Sequence, residues 1–193
     1  MTIMKELTLY KIREMALSSD RAVYNTSQLS NLIGKDYTTA SVYLTRLWKN
    51  GFAKRLVRGK ISFIDNDFVI ASQLVEPSYI SLSSALLFHN ITQQVPRRIQ
   101  SVTPVNSIKL DGLGLEYHKI PPGLMLGYER HTIGGSYCFV ATVEKALLDG
   151  FYLNYFSLED LRSYIGNRKM REFESFLGKF SGKGKHKLLE VVE

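Results

Sequence analysis

Apolar residues change from helical to strand-like periodicity between Thr26 and Ile64, in the stretch TSQLSNLIGKDYTTASVYLTRLWKNGFAKRLVRGKISFI. Ser27 is expected to cap a short helix and Gly34 to end it, because serine is a preferred N-cap and glycine a preferred C-terminal stop. The apolar side of this helix consists of Leu29, Leu32 and Ile33. A short amphipathic helix that stops at a glycine lets the chain turn directly into another element.

A second helix is predicted after the corner at Lys35-Asp36, and it ends at Asn50-Gly51. Its inward face consists of apolar residues three and four positions apart, Ala40, Tyr43, Leu44, Leu47 and Trp48. Two strands, Phe52 to Val57 and Ile61 to Ile64, follow around the turn Arg58-Gly59-Lys60. The order helix, helix, hairpin predicts a winged helix-turn-helix, with the second helix as recognition helix and the hairpin as wing.

The outward face of that helix and the hairpin carry groups that suit a DNA groove. Hydroxyls can donate or accept hydrogen bonds, small apolar groups can meet a thymine methyl, and cations can meet phosphates or guanine edges. The candidate DNA-binding residues are Tyr37, Thr38, Thr39, Ser41, Val42, Thr45, Arg46, Lys49, Lys54, Arg55, Arg58 and Lys60. The N-terminal half of the helix is expected at base edges, and the hairpin cations at the backbone or the minor groove.

Charge also favours DNA. Seven lysines and arginines lie between Lys35 and Lys60, against the single acid Asp36. Such an excess would neutralise several phosphates and make binding fall steeply with salt. We therefore predict double-stranded operator DNA as the partner. The alternatives are an ordinary solvated face and a winged helix that binds another protein.

The net charge of +7 is unevenly distributed, with +5 over residues 1–70, −2 over residues 71–161 and +6 over residues 162–187. The C-terminal basic group is interpreted either as a second nucleic-acid surface or as a solvated helix face with a solubilising tail. Its members are Arg162, Arg168, Lys169, Arg171, Lys179, Lys183, Lys185 and Lys187.

The single cysteine, Cys138, cannot form an internal disulfide and is expected to be buried. Because neither a signal core nor a membrane-length apolar run is recognised, a cytoplasmic protein without membrane contact is expected.

The sequence predicts an α+β protein in three parts: a winged-helix domain with a connecting helix over 1–76, an α+β domain over 77–180 and a basic polar tail over 181–193. A first helix from about Met4 to Leu17 and a short one from the cap Asp65-Asn66-Asp67 to Leu74 complete the first part. The later helices are expected at Ser81 to His89, Thr142 to Leu153, Leu158 to Ile165 and Lys169 to Phe180. The later strands are expected at Ile99 to Thr103, Ile108 to Leu110, Leu115 to Ile120, Met125 to His131 and Tyr137 to Ala141, with Gly134-Gly135 as a hairpin turn.

The chain offers little chemistry for catalysis. Lys145 and Asp149 stand four residues apart, which predicts a solvent-facing ion pair on a helix, and Glu144 beside them adds no acid-base pattern. Asp111, Glu116 and Lys119 lack the acid-x-Lys spacing of a nuclease. The histidines at 89, 118, 131 and 186 share no metal-ligand spacing, and no glycine-rich loop joins a strand to a helix. The sequence therefore predicts no enzyme, no catalytic residue, no metal site and no cofactor.

Three segments of the second part carry a resemblance to a known family. PSYISLSSALLFHNI is followed by VPRRIQSVTP and later by VATVEKALLDGF. Together, and behind the predicted winged helix, these segments resemble the antitoxin and transcriptional-regulator family of bacterial abortive-infection systems, the AbiEi-like proteins. The resemblance extends from residue 5 to about residue 180. The chain is short for that family, so any additional C-terminal element of longer members is expected to be absent.

The resemblance implies a mixed α/β antitoxin-type domain after the winged helix. It also implies the function of a type IV antitoxin that represses its own operon through inverted repeats and counters a nucleotidyltransferase-like toxin, without needing a stable complex with it. Inverted repeats could be occupied by a homodimer or by two independent monomers. The alternative hypothesis is a solitary winged-helix regulator whose C-terminal domain senses a ligand or a protein partner.

Overall fold

The computed structural model describes residues 7–165, 175–176 and 178 of the chain, and it has mixed α+β architecture, which confirms the predicted class. The helices are α1 (Leu9–Ser18), α2 (Thr26–Ile33), α3 (Tyr37–Lys49), α4 (Asp67–Leu74), α5 (Leu82–Phe88), α6 (Val143–Tyr152) and α7 (Leu158–Ile165). The strands are β1 (Val23–Asn25), β2 (Lys54–Val57), β3 (Lys60–Ser62), β4 (Tyr79–Ile80), β5 (Ile99–Thr103), β6 (Ile108–Leu110), β7 (Leu115–Lys119), β8 (Tyr128–Ile133) and β9 (Ser136–Ala141). Short 3-10 turns lie at Asp111–Leu113 and Pro122–Leu124.

The chain divides into two compact units. The first consists of the residues up to Leu74 and of 132–138, and the second of 75–131 and of the residues from Phe139 on. The tip of the β8–β9 hairpin therefore belongs to the first unit, which the sequence did not predict. The predicted helix over 169–180 and the tail over 181–193 lie almost entirely outside the described residues.

Helix ends in the first unit follow from local side-chain chemistry. Asn25 is the N-cap of α2, and it forms a capping box in which Gln28 N donates to Asn25 Oδ1 at 2.8 Å and Asn25 N donates to Gln28 Oε1 at 2.9 Å. The prediction of Ser27 as the cap was therefore wrong, because the amide pair satisfies two free helix donors. Gly34 ends α2 with a left-handed φ of 62°, as predicted.

The first unit contains a three-stranded antiparallel sheet in the order β1-β3-β2. Strand β1 was missed by the sequence analysis, since its three residues carry no periodic pattern of their own. In the pairing of β1 with β3, Tyr24 lies opposite Ile61. Both side chains are buried, and the core they share with α1, α2 and α3 consists of Ile12, Ala16, Tyr24, Leu29, Ile33, Ala40, Leu44, Leu47, Ile61 and Phe63.

A buried glutamine ties the hairpin tip to the rest of the first unit. Gln73 Oε1 accepts from the backbone N–H groups of Ala22 and Val23 at 2.9 and 3.1 Å, and Gln73 Nε2 donates to the carbonyl of Tyr137 at 2.8 Å. Ser136 Oγ donates to the carbonyl of Asp20 at 2.5 Å. These bonds join Gln73 of α4 to the start of β1 and to β9.

The second unit is built on a six-stranded mixed sheet in the order β6-β7-β5-β4-β9-β8. Strands β5 and β7 run parallel, with Ile99 opposite Leu115, while β4 pairs antiparallel to β5 and parallel to β9. The predictions for β5, β6 and α7 are confirmed to the residue, and those for β7, β9 and α6 to within one residue. Gly134 and Gly135 form the predicted hairpin turn, both with positive φ. The two-residue strand β4 was missed.

The predicted solvent-facing ion pair on α6 is wrong. Lys145 and Asp149 are both fully buried, and they form an ion pair with each other. Asp149 Oδ2 also accepts from the hydroxyls of Ser81 at 2.7 Å and Tyr79 at 3.0 Å, so the pair joins α6 to β4. Burial raises the pKa of Asp149 and lowers that of Lys145, and their mutual attraction opposes both shifts. A spacing of four residues on a helix brings the two side chains together, but it does not determine whether that face of the helix is exposed to water.

Cys138 is buried, as predicted, and burial raises the pKa of its thiol to about 11. Among the described residues, no helix combines the length and the apolar character needed to cross a membrane.

Candidate nucleic-acid interface

Helix α3 begins at a carboxylate cap. Asp36 Oδ1 accepts from Thr39 N at 3.0 Å, and the hydroxyl of Thr39 donates to Asp36 Oδ2 at 2.6 Å. The hydroxyl and then the backbone N–H of Thr39 hold the pKa of Asp36 below its usual value. Thr39 was predicted to contact DNA, but its hydroxyl proton is used in the cap. The cap fixes where α3 begins and thus the rotation of every side chain along it.

The two faces of α3 differ as the spacing predicted. Ala40, Leu44 and Leu47 are buried, and Tyr43 and Trp48 are partly buried against the same core. The exposed face comprises Tyr37, Thr38, Ser41, Val42, Arg46 and Lys49. Tyr37 is 61% exposed and Val42 is 46% exposed. The face thus offers hydroxyls, one branched apolar group and cations to solvent.

Thr45 lies at the edge between these faces. It is partly buried, and its hydroxyl donates to the carbonyl of Ser41 at 3.0 Å. The hydroxyl oxygen keeps acceptor capacity, while its donor is used within the helix. The hydroxyl donors of the α3 face are therefore better represented by Tyr37, Thr38 and Ser41 than by Thr39 and Thr45.

Aromatic rings support three of the cations. The guanidinium of Arg55 lies 5.2 Å from the centroid of the Trp48 ring, and Lys49 Nζ lies 5.9 Å from it. Arg46 lies 6.0 Å from the centroid of the Tyr43 ring. Such contacts hold a cation at a defined position without neutralising it. The sequence predicted Trp48 as a core residue only, because its contact with Arg55 depends on how the hairpin folds back over α3.

The cations of the hairpin are not equivalent. Lys54 Nζ pairs with Asp65 Oδ1 at 2.6 Å, and Lys60 Nζ donates to the carbonyl of Leu74 at 2.6 Å. Lys60 was predicted at the tip of the wing, but its ammonium is directed to the end of α4. Arg58 remains at the turn and is exposed. Within the described part of the chain, no carboxylate forms an ion pair with Arg46, Lys49, Arg55 or Arg58.

A groove of about 540 Å³ lies between α3 and the β2–β3 hairpin. Its walls come from α3 on one side and the hairpin on the other, and the N-terminus of α2 contributes at one end. The lining residues are Thr26, Tyr37, Ser41, Leu44, Thr45, Trp48, Arg55, Val57, Arg58 and Gly59. Two arginines, three hydroxyl-bearing side chains of α3 and one indole ring therefore converge on one open channel.

Two acidic groups of the second unit, Glu116 and Asp111, are engaged by neighbouring side chains. Glu116 is buried and accepts from Gln100 at 3.0 Å and from the hydroxyl of Tyr155 at 3.2 Å. Burial raises its pKa, but these bonds and neighbouring His118 outweigh that effect and keep the pKa low. Asp111 binds Arg98, so it does not join Glu116 in one site. In the described residues, no three histidine, cysteine or acidic side chains form a group that could hold a metal ion.

Comparisons with known proteins bear on the fold. No family model and no curated protein matches the chain. Among solved structures, the chain is similar to the RV2827C protein from Mycobacterium tuberculosis, with a TM-score of 0.56 and 13% identity, covering 95% of this chain and 75% of that chain. This likeness concerns the fold alone.

Proposed function

We propose that the first unit is a winged helix-turn-helix that binds duplex DNA and that the chain is a DNA-binding transcriptional regulator. The observation that carries this proposal is the exposed face of α3, where hydroxyls, Val42 and cations without a carboxylate partner among the described residues lie beside a cationic hairpin. In a helix-turn-helix, the second helix enters the major groove while flanking elements contact the backbone. Here α3 has the corresponding position, with α2 before it and the hairpin after it.

The side chains of α3 and of the hairpin suit different parts of DNA. Thr38 and Val42 lie on the exposed face toward the N-terminal end of α3, and Arg46 lies one turn further along. A threonine hydroxyl can bond to base edges, a valine can meet a thymine methyl, and arginine can bind guanine in a bidentate manner. Arg55 and Arg58 of the hairpin are placed for phosphates. Sequence preference is therefore assigned to α3 and general affinity to the hairpin.

Replacing both Thr45 and Arg46 with alanine is expected to weaken binding to the protein's own upstream DNA by about tenfold to a hundredfold, at about 1–3 kcal/mol for a lost base contact. Fluorescence anisotropy with a labelled upstream duplex measures the change, and an unrelated duplex of the same length is the reference. Ser18→Ala on α1 is the matched control, since its hydroxyl bonds within its own helix. Equal affinities of wild type and the double variant for the upstream duplex would remove α3 from the mechanism.

We further propose that the regulator is an antitoxin of the type IV class, opposed to a nucleotidyltransferase-like toxin. The support is the resemblance of the segments around Tyr79–Ile80, Ile99–Thr103 and Val143–Tyr152 to the AbiEi-like family, in the predicted order and behind the proposed winged helix. The structure places these segments in the second unit, on adjoining β4 and β5 and on α6. Antitoxic activity is accordingly assigned to that unit and operator binding to the first.

Co-expression tests the antitoxin proposal. A neighbouring nucleotidyltransferase-like gene, induced alone, is expected to stop growth, and the full chain is expected to restore it. The Arg46→Ala variant is the matched control, because it should lose repression and keep rescue if the two activities reside in different units. Failure of the wild-type chain to restore growth would reject the antitoxin and leave a solitary regulator whose second unit senses a ligand or partner.

A further inference from the structure

We propose that the groove between α3 and the β2–β3 hairpin seats the sugar-phosphate backbone of one DNA strand, and that Trp48 is the positioning residue that holds Arg55 toward that strand. This inference rests on the proposed DNA binding and deepens it. It assigns to the groove a chemical class of ligand, the phosphodiester, and separates it from the face of α3 that meets bases.

The lining of the groove is suited to a phosphodiester. Arg55 and Arg58 contribute two exposed guanidinium groups, and each can donate two parallel hydrogen bonds to phosphate oxygens. Tyr37 and Ser41 add hydroxyl donors from the opposite wall. No acidic side chain lines the groove within the described residues. Positive charge without a competing carboxylate favours an anionic ligand over a peptide or a neutral molecule.

The position of Arg55 depends on Trp48. In β2, Lys54 and Arg55 are neighbours, and neighbouring strand residues point to opposite sides. Lys54 is directed to Asp65, whereas Arg55 lies over the indole at the floor of the groove. The ring attracts the cation but offers it no hydrogen-bond acceptor, so the guanidinium N–H groups remain available to a phosphate. Trp48 thus orders Arg55 in advance, which reduces the entropy that binding must overcome.

A groove that binds backbone should act on all sequences alike. Phosphate contacts fix register and add affinity, whereas base-edge contacts discriminate between sequences. Removing a groove contact is therefore expected to weaken operator and unrelated DNA by the same factor. Replacing a residue of α3 that is proposed to contact bases, such as Val42, is expected to change the ratio of the affinity for operator DNA to the affinity for unrelated DNA.

The single tryptophan of the chain makes the groove directly observable, because all intrinsic tryptophan emission comes from Trp48. Acrylamide quenching of that emission is measured in the full chain with and without an unlabelled duplex, and a gel shift on the same samples reports binding. Duplex is expected to lower the quenching constant by about half or more, since a seated backbone covers the ring. A shifted complex with an unchanged quenching constant would overturn the inference and leave the proposed function standing. No shifted complex would reject both.

Substitutions test the positioning role. Arg55→Gln is expected to weaken operator and unrelated duplex equally and to reduce the slope of log Kd against log salt by about 1. Trp48→Leu is expected to reduce the slope by the same amount. Trp48→Phe keeps an aromatic ring, so its slope is expected to equal that of the wild type. Lys54→Gln is the matched control, with the same charge change one residue away, and leaves the slope unchanged. An Arg55→Gln loss confined to the operator, or a Trp48→Leu variant with wild-type slope, would contradict the assignment.

Discussion

Replacing Asp149 with alanine is expected to destabilise the protein by about 3–5 kcal/mol, the cost of removing one partner from a buried ion pair. The variant leaves the Lys145 ammonium in a fully buried site, and it removes the acceptor of the Ser81 and Tyr79 hydroxyls. A buried charge that has lost its carboxylate counter-ion and two buried hydroxyls that have lost their acceptor are both costly. Chemical denaturation followed by far-UV circular dichroism measures the loss.

Two further variants separate charge from packing. Lys145→Met with Asp149→Leu removes both charges and keeps side-chain volume, so it is expected to recover the part of the loss that comes from the unpaired charge. The part that comes from the Ser81 and Tyr79 hydroxyls remains, because leucine accepts no hydrogen bond. Glu159→Ala on α7 is the control for loss of a carboxylate, because this side chain is exposed. A loss below about 1 kcal/mol in Asp149→Ala is the value of a surface pair and would argue against the buried arrangement.

The same pair shows where sequence patterns stop being informative. A lysine and an aspartate four residues apart meet on any helix, whether the helix side faces water or protein. The environment of Asp149 depends on Tyr79 of β4 and on Ser81, the N-cap of α5, which are about seventy positions away in the chain. Local spacing predicted the contact correctly. It could not predict the environment, which determines whether breaking the contact has a small or a large effect.

Element boundaries were predictable where local signals were strong. Strand β5 is bounded by polar and proline-containing turns, and α3 has an aspartate cap and an Asn-Gly end, so both were found close to their true limits. Strands β1 and β4 have three and two residues. Strands this short form only because a distant partner, β3 for β1 and β5 for β4, supplies the hydrogen bonds. Non-local pairing of this kind leaves no periodicity to detect.

The candidate interface was predicted in outline and corrected in detail. Periodicity placed Thr38, Val42 and Arg46 on the outer face of α3, where the structure has them. It could not show that Lys54 and Lys60 are engaged by Asp65 and by the Leu74 carbonyl, since both contacts join residues more than ten positions apart. It also could not show that Arg55 lies over Trp48. The cations available to DNA are therefore fewer than the seven counted in the sequence.

The salt dependence of DNA binding is expected to reflect the number of cations that are available to phosphates. Four cations of the interface have no carboxylate partner among the described residues: Arg46, Lys49, Arg55 and Arg58. Arg46 is assigned to a base edge, so three of these cations remain for phosphates. Each phosphate neutralised on B-DNA contributes about −0.9 to the slope of log K against log salt, which gives about −2.7 for one chain and about −5.4 for two chains on an inverted repeat. Between 50 and 200 mM salt, these slopes correspond to losses of affinity of about 40-fold and about 2 × 10³-fold.

Anisotropy titrations across this salt range therefore measure both the number of contacts and the number of chains on the operator. Lys49→Gln with Arg58→Gln is expected to reduce the magnitude of the slope by about 1.8 per bound chain. Lys54→Gln with Lys60→Gln removes the same formal charge, but from ammonium groups that Asp65 and the Leu74 carbonyl already engage, so the slope should stay at the wild-type value. If the two double variants lowered the slope equally, net charge rather than the geometry of the α3 and hairpin surface would govern binding, and the assignment of individual phosphate contacts would be lost.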